Sequence, residues 1–235
     1  MRKNKIMLRQ IIFIAGCTLS LSACSLHKDT ISFKTQTPLT DTAQQKIVSE
    51  EEIELENGFT ELISLESSIK IDIKYATTDN FVKEKMYNCG KCFLRPEVAE
   101  AIVKAQKQLG KKGYGLKMFD CYRPRPFQQR LWDKVPDDRY VTNPKKGSMH
   151  NRGAAVDLTL VDKNGKELDM GTPYDFFGEK AYQTCTDLPK NVLENRKLLN
   201  STLESVGFKT IRTEWWHFSY TKKKYALSDW LWDCK

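Results

Sequence analysis

The sequence predicts an α+β domain with a central antiparallel or mixed sheet flanked by helices. Helical and strand patterns are mixed along residues 58–235 without a regular strand-helix-strand repeat. The chain also lacks a glycine-rich phosphate loop. These two features disfavour a doubly wound parallel sheet. The length of this stretch suits one domain with one core.

Three helices are predicted from apolar spacing and end signals. In the first, apolar side chains recur every three or four positions between Pro96 and Gly110. A proline also opens the second helix, and a glycine ends the third. The predicted helices are 95–110, 126–135 and 191–207.

Three strands are predicted from runs of apolar, β-branched or aromatic residues. They are 114–120, 154–162 and 214–220. In the second, alternation places Val156 and Leu158 toward the core and Asp157 on the opposite, polar face. We therefore expect a cation to be able to stabilise Asp157 there.

The N-terminal residues have the pattern of an export signal. Four basic residues and no acidic residue occupy the first nine positions, before an apolar run too short for a comfortable transmembrane helix. Leu-Ser-Ala-Cys at 21–24 then resembles the lipobox of bacterial lipoproteins, in which cleavage precedes a lipid-bearing cysteine. We expect removal of residues 1–23, lipidation of Cys24, and a location at the periplasmic face of the cell envelope. An ordinary secretory signal or a single anchor is the alternative. Ser25 favours the outer membrane.

Residues 24–57 are predicted to form a flexible tether, because they are polar and show no sustained period. The domain would then span 58–235. Without the four basic residues of the signal, the formal net charge falls from +8 to about +4. This modest charge gives little support for a nucleic-acid partner. The sequence does not indicate an oligomeric state.

Five cysteines fall in the predicted domain: Cys89, Cys92, Cys121, Cys185 and Cys234. The motif CGKC at 89–92 allows a zinc knuckle or a redox pair, but a zinc ribbon needs a second such pair. Disulfides persist in exported proteins and are the favoured interpretation. An odd number leaves at least one thiol free or paired between chains.

Two histidines and one aspartate form a candidate zinc site. His150 precedes Asp157 by seven positions, and His217 lies in the aromatic strand. Two imidazoles and a carboxylate leave a fourth position on zinc open for water, as in catalytic sites. Each residue alone also suits an ordinary structural role in a turn, a cap or a core strand. Together they use both histidines of the domain, which favours one zinc ion per chain.

Glu214, three residues before His217, is the candidate general base. A hydrolytic zinc site needs a base that takes a proton from water and passes it to the leaving amine. Positions three apart in an ideal strand face opposite sides. This role therefore requires a bulge or a strand start near Glu214.

Several blocks of the sequence match a known family. SMHNRGAAVD at 148–157 and EWWH at 214–217 fit Ser-x-His-x-x-Gly-x-Ala-x-Asp and Glu-x-x-His patterns. These patterns resemble those of zinc D,D-peptidases related to hedgehog-type and lysostaphin-type domains. Blocks at 73–81, 120–132 and 170–177 resemble the VanX-type D-alanyl-D-alanine dipeptidases, in the same order. The resemblance covers nearly all of the predicted domain.

The resemblance implies the same zinc ligands and base, and it adds four residues. Arg123 matches the arginine that stabilises the oxyanion. Asp175 matches the carboxylate that receives the free amino terminus of the dipeptide. Tyr75 and Ser148 match polar residues that help to hold the ends of the substrate. A loop arginine, a turn aspartate and a core tyrosine are the structural alternatives.

The implied activity is zinc-dependent hydrolysis of D-Ala-D-Ala or a similar free D,D-dipeptide. One alternative is a D,D-carboxypeptidase or endopeptidase acting on peptidoglycan stem peptides. Asp175 argues against it, because a buried anion rejects an acylated nitrogen. The other is a non-catalytic zinc-bearing binding module, for which neither Glu214 nor Arg123 would be needed. An envelope location suits turnover of dipeptides from the wall better than interception of cytoplasmic dipeptide in antibiotic resistance.

Overall fold

The computed structural model describes residues 58–235. The predicted signal peptide, the lipidation site Cys24 and the tether lie outside the described residues. Within 58–235, no helix has the length and apolar character needed to cross a membrane.

In residues 58–235, strands and helices of different lengths follow one another without a regular repeat. The strands are β1 (Thr60–Glu61), β2 (Lys70–Ile71), β3 (Phe93–Leu94), β4 (Tyr114–Asp120), β5 (Ala155–Asp162), β6 (Phe208–Ile211) and β7 (Glu214–Tyr220). The α-helices are α1 (Leu62–Leu65), α2 (Pro96–Gly110), α3 (Arg125–Lys134) and α4 (Lys190–Ser205). Short 3-10 helices occur at Lys74–Ala76, His150–Arg152 and Glu179–Ala181.

A five-stranded mixed sheet forms the centre, with strand order β2-β4-β5-β7-β6. β2 runs parallel to β4, and the other neighbours are antiparallel. β1 and β3 form a separate antiparallel pair. The predicted α+β class with a mixed sheet is confirmed.

Helices α2 and α4 pack on the sheet and on each other. Val98, Ile102, Ala105 and Leu109 of α2 are fully buried, as their spacing of four, three and four predicts. They belong to one core cluster together with Val156 and Leu158 of β5. The apolar face of β5 therefore forms part of the core, as predicted.

All three predicted helices and all three predicted strands are present. Two strands have the predicted bounds, and the other elements differ by one or two residues at their ends, where assignments ordinarily vary. The structure adds β1, β2, β3, β6 and α1. These elements have two to four residues, too few to show a period in the sequence.

The face of β5 that carries Asp157 is itself buried. Ala155, Asp157 and Thr159 share this face, and none of them is more than 4% exposed. The hydroxyl of Tyr174 covers Asp157 and donates a hydrogen bond to it. Alternation correctly separated the two faces of β5, and neighbouring segments cover the face that carries Asp157.

Two disulfides cross-link the described region. Cys89 pairs with Cys234, and Cys92 pairs with Cys121, while Cys185 is a free thiol. Both cysteines of the CGKC motif are therefore consumed in long-range bridges, which excludes a zinc knuckle. The predictions of disulfide formation and of one leftover thiol are confirmed.

We predict that Gly153→Ala lowers the free energy of unfolding by about 2–4 kcal/mol. Gly153 follows the 3-10 helix of His150 and has a φ of 67°, which strains other residues. A Cβ there would also lie 2.5 Å from Cε1 of Phe59. Urea unfolding monitored by tryptophan fluorescence measures the change.

Gly110→Ala is the matched control. A Cβ at Gly110 meets no heavy atom within 4 Å, and the residue ends α2 without a positive φ. We expect an unchanged stability or a gain of up to about 1 kcal/mol. Equal stabilities of the two variants would contradict the strain argument.

Candidate active site

The candidate metal ligands converge on two neighbouring strands. Asp157 of β5 lies directly opposite His217 of β7 in the antiparallel register, so both side chains stand on the same face. His150 reaches this face from the 3-10 helix just before β5. The sheet register thus brings together residues that are sixty or more positions apart.

The ligand atoms form a triangle of the size that zinc requires. His217 Nδ1 lies 3.0 Å from Asp157 Oδ1, and His150 Nε2 lies 3.3 Å from the same oxygen. The two nitrogens are 3.2 Å apart. Tetrahedral zinc with bonds of about 2.0–2.2 Å places its ligand atoms about 3.3–3.6 Å from one another, slightly farther apart than these three atoms. The three residues therefore fit a single zinc ion.

Both histidines are oriented through their second ring nitrogen. His150 Nδ1 lies 2.7 Å from the carbonyl oxygen of Cys121, which can only accept, so Nδ1 carries the proton. His217 Nε2 lies 3.0 Å from Oγ of Ser219. These partners leave His150 Nε2 and His217 Nδ1 for a metal.

Asp157 is held as an ionised ligand. The hydroxyl of Tyr174 donates to Asp157 Oδ2 at 3.0 Å, while Oδ1 faces the imidazoles. Burial alone would raise the pKa of Asp157, but the charges and hydrogen bonds of His150 and His217 lower it well below its usual value. Tyr174 was not predicted as a site residue, although it lies in the matched block at 170–177.

Glu214 stands beside these ligands, with its Oε2 4.0 Å from His217 Nδ1. It is the first residue of β7, and the pairing with β6 shifts between Thr210 and Ile211, so that Ile211 lies opposite Glu214. The predicted requirement for a strand start or a bulge is therefore confirmed. Burial raises the pKa of Glu214, and the charge of His217 partly offsets this.

Arg123 is a fixed cation in the loop after β4. Its Nη2 lies 2.6 Å from Oδ2 of the fully buried Asp120, and its Nη1 donates to Gln128 at 3.1 Å. The guanidinium also lies over the ring of Tyr75, 4.9 Å from its centroid. One N–H on each terminal nitrogen keeps no partner among residues 58–235. These two N–H groups can receive developing negative charge.

Asp175 and Tyr75 form a polar pair near Arg123. The Tyr75 hydroxyl donates to Asp175 Oδ2 at 3.2 Å. Asp175 has a φ of 57°, and strained backbone of this kind concentrates at functional sites. Burial raises the pKa of Asp175 well above its usual value, and the negative charge of Asp157 adds to this. A bound ammonium group would offset both effects.

Ser148 is linked to Arg123 through the fully buried Asn151. The Ser148 N–H donates to Asn151 Oδ1 at 2.8 Å, and Asn151 Nδ2 donates to the carbonyl oxygen of Arg123 at 2.7 Å. Asn151 was also missed as a site residue. Its position in the SMHNRG block was the available signal, but its partners are visible only in the fold.

All the predicted site residues that lie in the domain line one cleft of about 420 Å³. They are Tyr75, Arg123, Ser148, His150, Asp157, Asp175, Glu214 and His217. The cleft thus combines a zinc-ligand triad, a carboxylate base and a fixed guanidinium on an α+β sheet. This combination defines the class of zinc metallopeptidases.

Comparison with known proteins specifies the family. The Peptidase_M15 family model, described as D-ala-D-ala dipeptidase, matches residues 55–230. The chain belongs to this family of zinc metallopeptidases, as the sequence blocks predicted.

Relatives are similar over most of the chain. A D-alanyl-D-alanine dipeptidase of Escherichia coli is 37% identical over 162 residues, which cover 68% of this chain and 84% of the relative. A D-alanyl-D-alanine dipeptidase of Enterococcus faecium is 32% identical over 197 residues, covering 74% and 96%. The solved LD-carboxypeptidase LdcB is 21% identical, with a TM-score of 0.38 over 55% of this chain and 59% of its own.

We predict that Tyr174→Phe weakens zinc binding about tenfold, because it removes the hydrogen bond that orients Asp157. Competition with a chelator measures the zinc affinity directly. Tyr140→Phe is the control, since Tyr140 lines the cleft and its hydroxyl has no hydrogen-bond partner in the described region. Identical zinc affinities in the wild type and both variants would exclude this role of Tyr174.

Proposed function

We propose that the chain hydrolyses free D-Ala-D-Ala or a similar D,D-dipeptide, with one zinc ion per chain. The Asp175–Tyr75 pair, in the same cleft as the metal ligands, is the observation that carries this proposal. A half-buried carboxylate that forms no ion pair within residues 58–235 suits a substrate that brings its own ammonium group. The dipeptidase relatives support the same substrate class.

Asp175 and Tyr75 would set the substrate length. The ammonium group of a free dipeptide restores the charge balance around Asp175. An acylated nitrogen has no charge and adds bulk at this point, so that the carboxylate would remain unpaired. The pair therefore selects dipeptides over longer peptides that are cleaved near their carboxyl end.

The remaining residues would carry the chemistry. Zinc held by the two histidines and Asp157 would supply a Lewis acid that lowers the pKa of water and polarises the scissile carbonyl. Arg123 offers its two free N–H groups to the negative charge that develops on the carbonyl oxygen. Glu214 accepts the proton of the attacking water and delivers it to the leaving amine. Its raised pKa suits both proton transfers.

We predict that the zinc-loaded full chain cleaves free D-Ala-D-Ala and is slower by on the order of 100-fold or more on N-acetyl-D-Ala-D-Ala. Glu214→Gln should reduce kcat about 10³-fold while zinc content is retained. Asp175→Asn should raise KM for the free dipeptide and leave the acetylated peptide unaffected. Amino-acid release measures all three.

Two outcomes would overturn this proposal. Equal cleavage of free and acetylated substrates by the wild type would indicate a D,D-carboxypeptidase that acts on stem peptides. Cleavage of neither, in protein shown to contain zinc, would indicate a binding module.

We further propose that the protein is exported and lipid-anchored at the cell envelope, with the outer membrane favoured, where it recovers dipeptides released from the wall. The signal and lipobox pattern ending at Cys24 supports this, as do two disulfides, which persist in oxidising compartments. We predict incorporation of labelled palmitate into the full chain and none into Cys24→Ala. Failure to label the wild type would favour an ordinary secretory signal.

A further inference from the structure

A free dipeptide carries a carboxylate as well as an ammonium group. If the proposed function is correct, Asp175 and Tyr75 account for the ammonium end, and Arg123 and the zinc ligands account for the scissile bond. Recognition of the other end calls for a positive charge, because a carboxylate loses its hydration when it enters the cleft.

Two cationic side chains line the cleft besides the histidine ligands, namely Arg123 and Lys146. Arg123 is paired with the buried Asp120 at 2.6 Å, and its two remaining N–H groups are assigned above to the carbonyl oxygen of the scissile bond. Lys146 forms no ion pair with any carboxylate of residues 58–235, and its ammonium group donates no hydrogen bond there. The cleft therefore holds one lysine whose charge is available to a ligand.

The backbone that carries Lys146 is fixed. The amides of Lys146 and Gly147 both donate to the carbonyl oxygen of Asn143, at 2.9 and 3.0 Å. Gly147 has a φ of 74°, and a Cβ there would collide with the side chain of Leu227. Ser148 follows directly and also lines the cleft. The backbone of Lys146 is thus held two residues from Ser148, the predicted substrate-binding serine.

Ser148 can complete a carboxylate subsite. Its Oγ accepts a weak hydrogen bond from the amide of Asn151 at 3.3 Å, and its own proton has no acceptor among the described residues. A hydroxyl and an ammonium group can each donate to one oxygen of a carboxylate, and Ser148 and the exposed Lys146 line the same cleft. We propose that Lys146, with Ser148, binds the free carboxylate of the dipeptide and selects substrates with an unmodified carboxyl end.

The test compares D-Ala-D-Ala with its carboxyl-terminal amide, which keeps the ammonium group and the scissile bond. Lys146→Met in the zinc-loaded full chain should raise KM for the acid about tenfold or more, with kcat changed less than about twofold. KM for the amide should not change, and Lys146→Arg should retain most of the affinity for the acid. Lys145→Met is the matched control, because Lys145 is the adjacent lysine and does not line the cleft.

Arg212 is the alternative candidate for binding the carboxylate of the dipeptide. It lines a neighbouring cavity of about 500 Å³ together with Glu214, and it stacks on the ring of Tyr182 at 4.7 Å. If Arg212→Gln, and not Lys146→Met, raises KM for the acid alone, the carboxylate subsite lies in that cavity and the proposal is overturned. Equal losses on acid and amide in Lys146→Met would also overturn it, because they would indicate a structural role.

Failure of the dipeptidase function itself would be recognised separately. In that case the zinc-loaded wild type would cleave neither the acid nor the amide. Calorimetry of the binding of the acid and of the amide, to the wild type and to Lys146→Met, would then test the carboxylate subsite independently of catalysis. Weaker binding of the acid only in the variant supports the subsite, and unchanged binding overturns it.

Discussion

The register of β4, β5 and β7 is the constraint on which the site depends. Asp120, Asp157 and His217 lie directly opposite one another on these three adjacent strands. Asp157 and His217 are two of the candidate metal ligands, and Asp120 holds the guanidinium of Arg123. Side-chain direction alternates along a strand. A slip of one residue between β5 and β7 would therefore turn a candidate metal ligand away from the cleft, and a slip between β4 and β5 would displace Asp120. One row across the sheet therefore positions both the zinc ligands and the cation beside them.

The carboxylates near this row differ in how their charge is balanced. Asp120 is paired with Arg123, and Asp157 is assigned to zinc. Asp175 is hydrogen-bonded to a neutral tyrosine and forms no ion pair among the described residues. Burial and the neighbouring anions raise the pKa of Asp175, so a cationic ligand removes an electrostatic cost that the free site carries. This imbalance makes Asp175, and not Asp120, the residue suited to bind an ammonium group.

The sequence predicted those features that depend on local pattern or on residue chemistry. Apolar spacing was sufficient for α2 and for β4, and the scarcity of histidine singled out the ligand set. Tyr174 and Asn151 were missed because their roles depend on partners distant in sequence or buried within the fold. The cover over Asp157 was not predicted for a related reason, since alternation assigns a face to a side chain without revealing what covers it. Disulfide pairing depends on Cα proximity, which sequence spacing does not determine.

The segment that links β4 to α3 connects the candidate zinc site to the Cys92–Cys121 disulfide. Cys121 is bridged to Cys92, and its carbonyl oxygen fixes the proton of His150. The next two residues contribute as well, because Tyr122 donates a hydrogen bond to the carbonyl oxygen of Trp230, and the Arg123 amide donates to the carbonyl oxygen of His150. A cross-link that restrains Cys121 therefore also restrains the imidazole orientation on which metal binding depends. Reduction of the Cys92–Cys121 bridge would remove this restraint, so the candidate zinc site would keep its geometry best where disulfides persist.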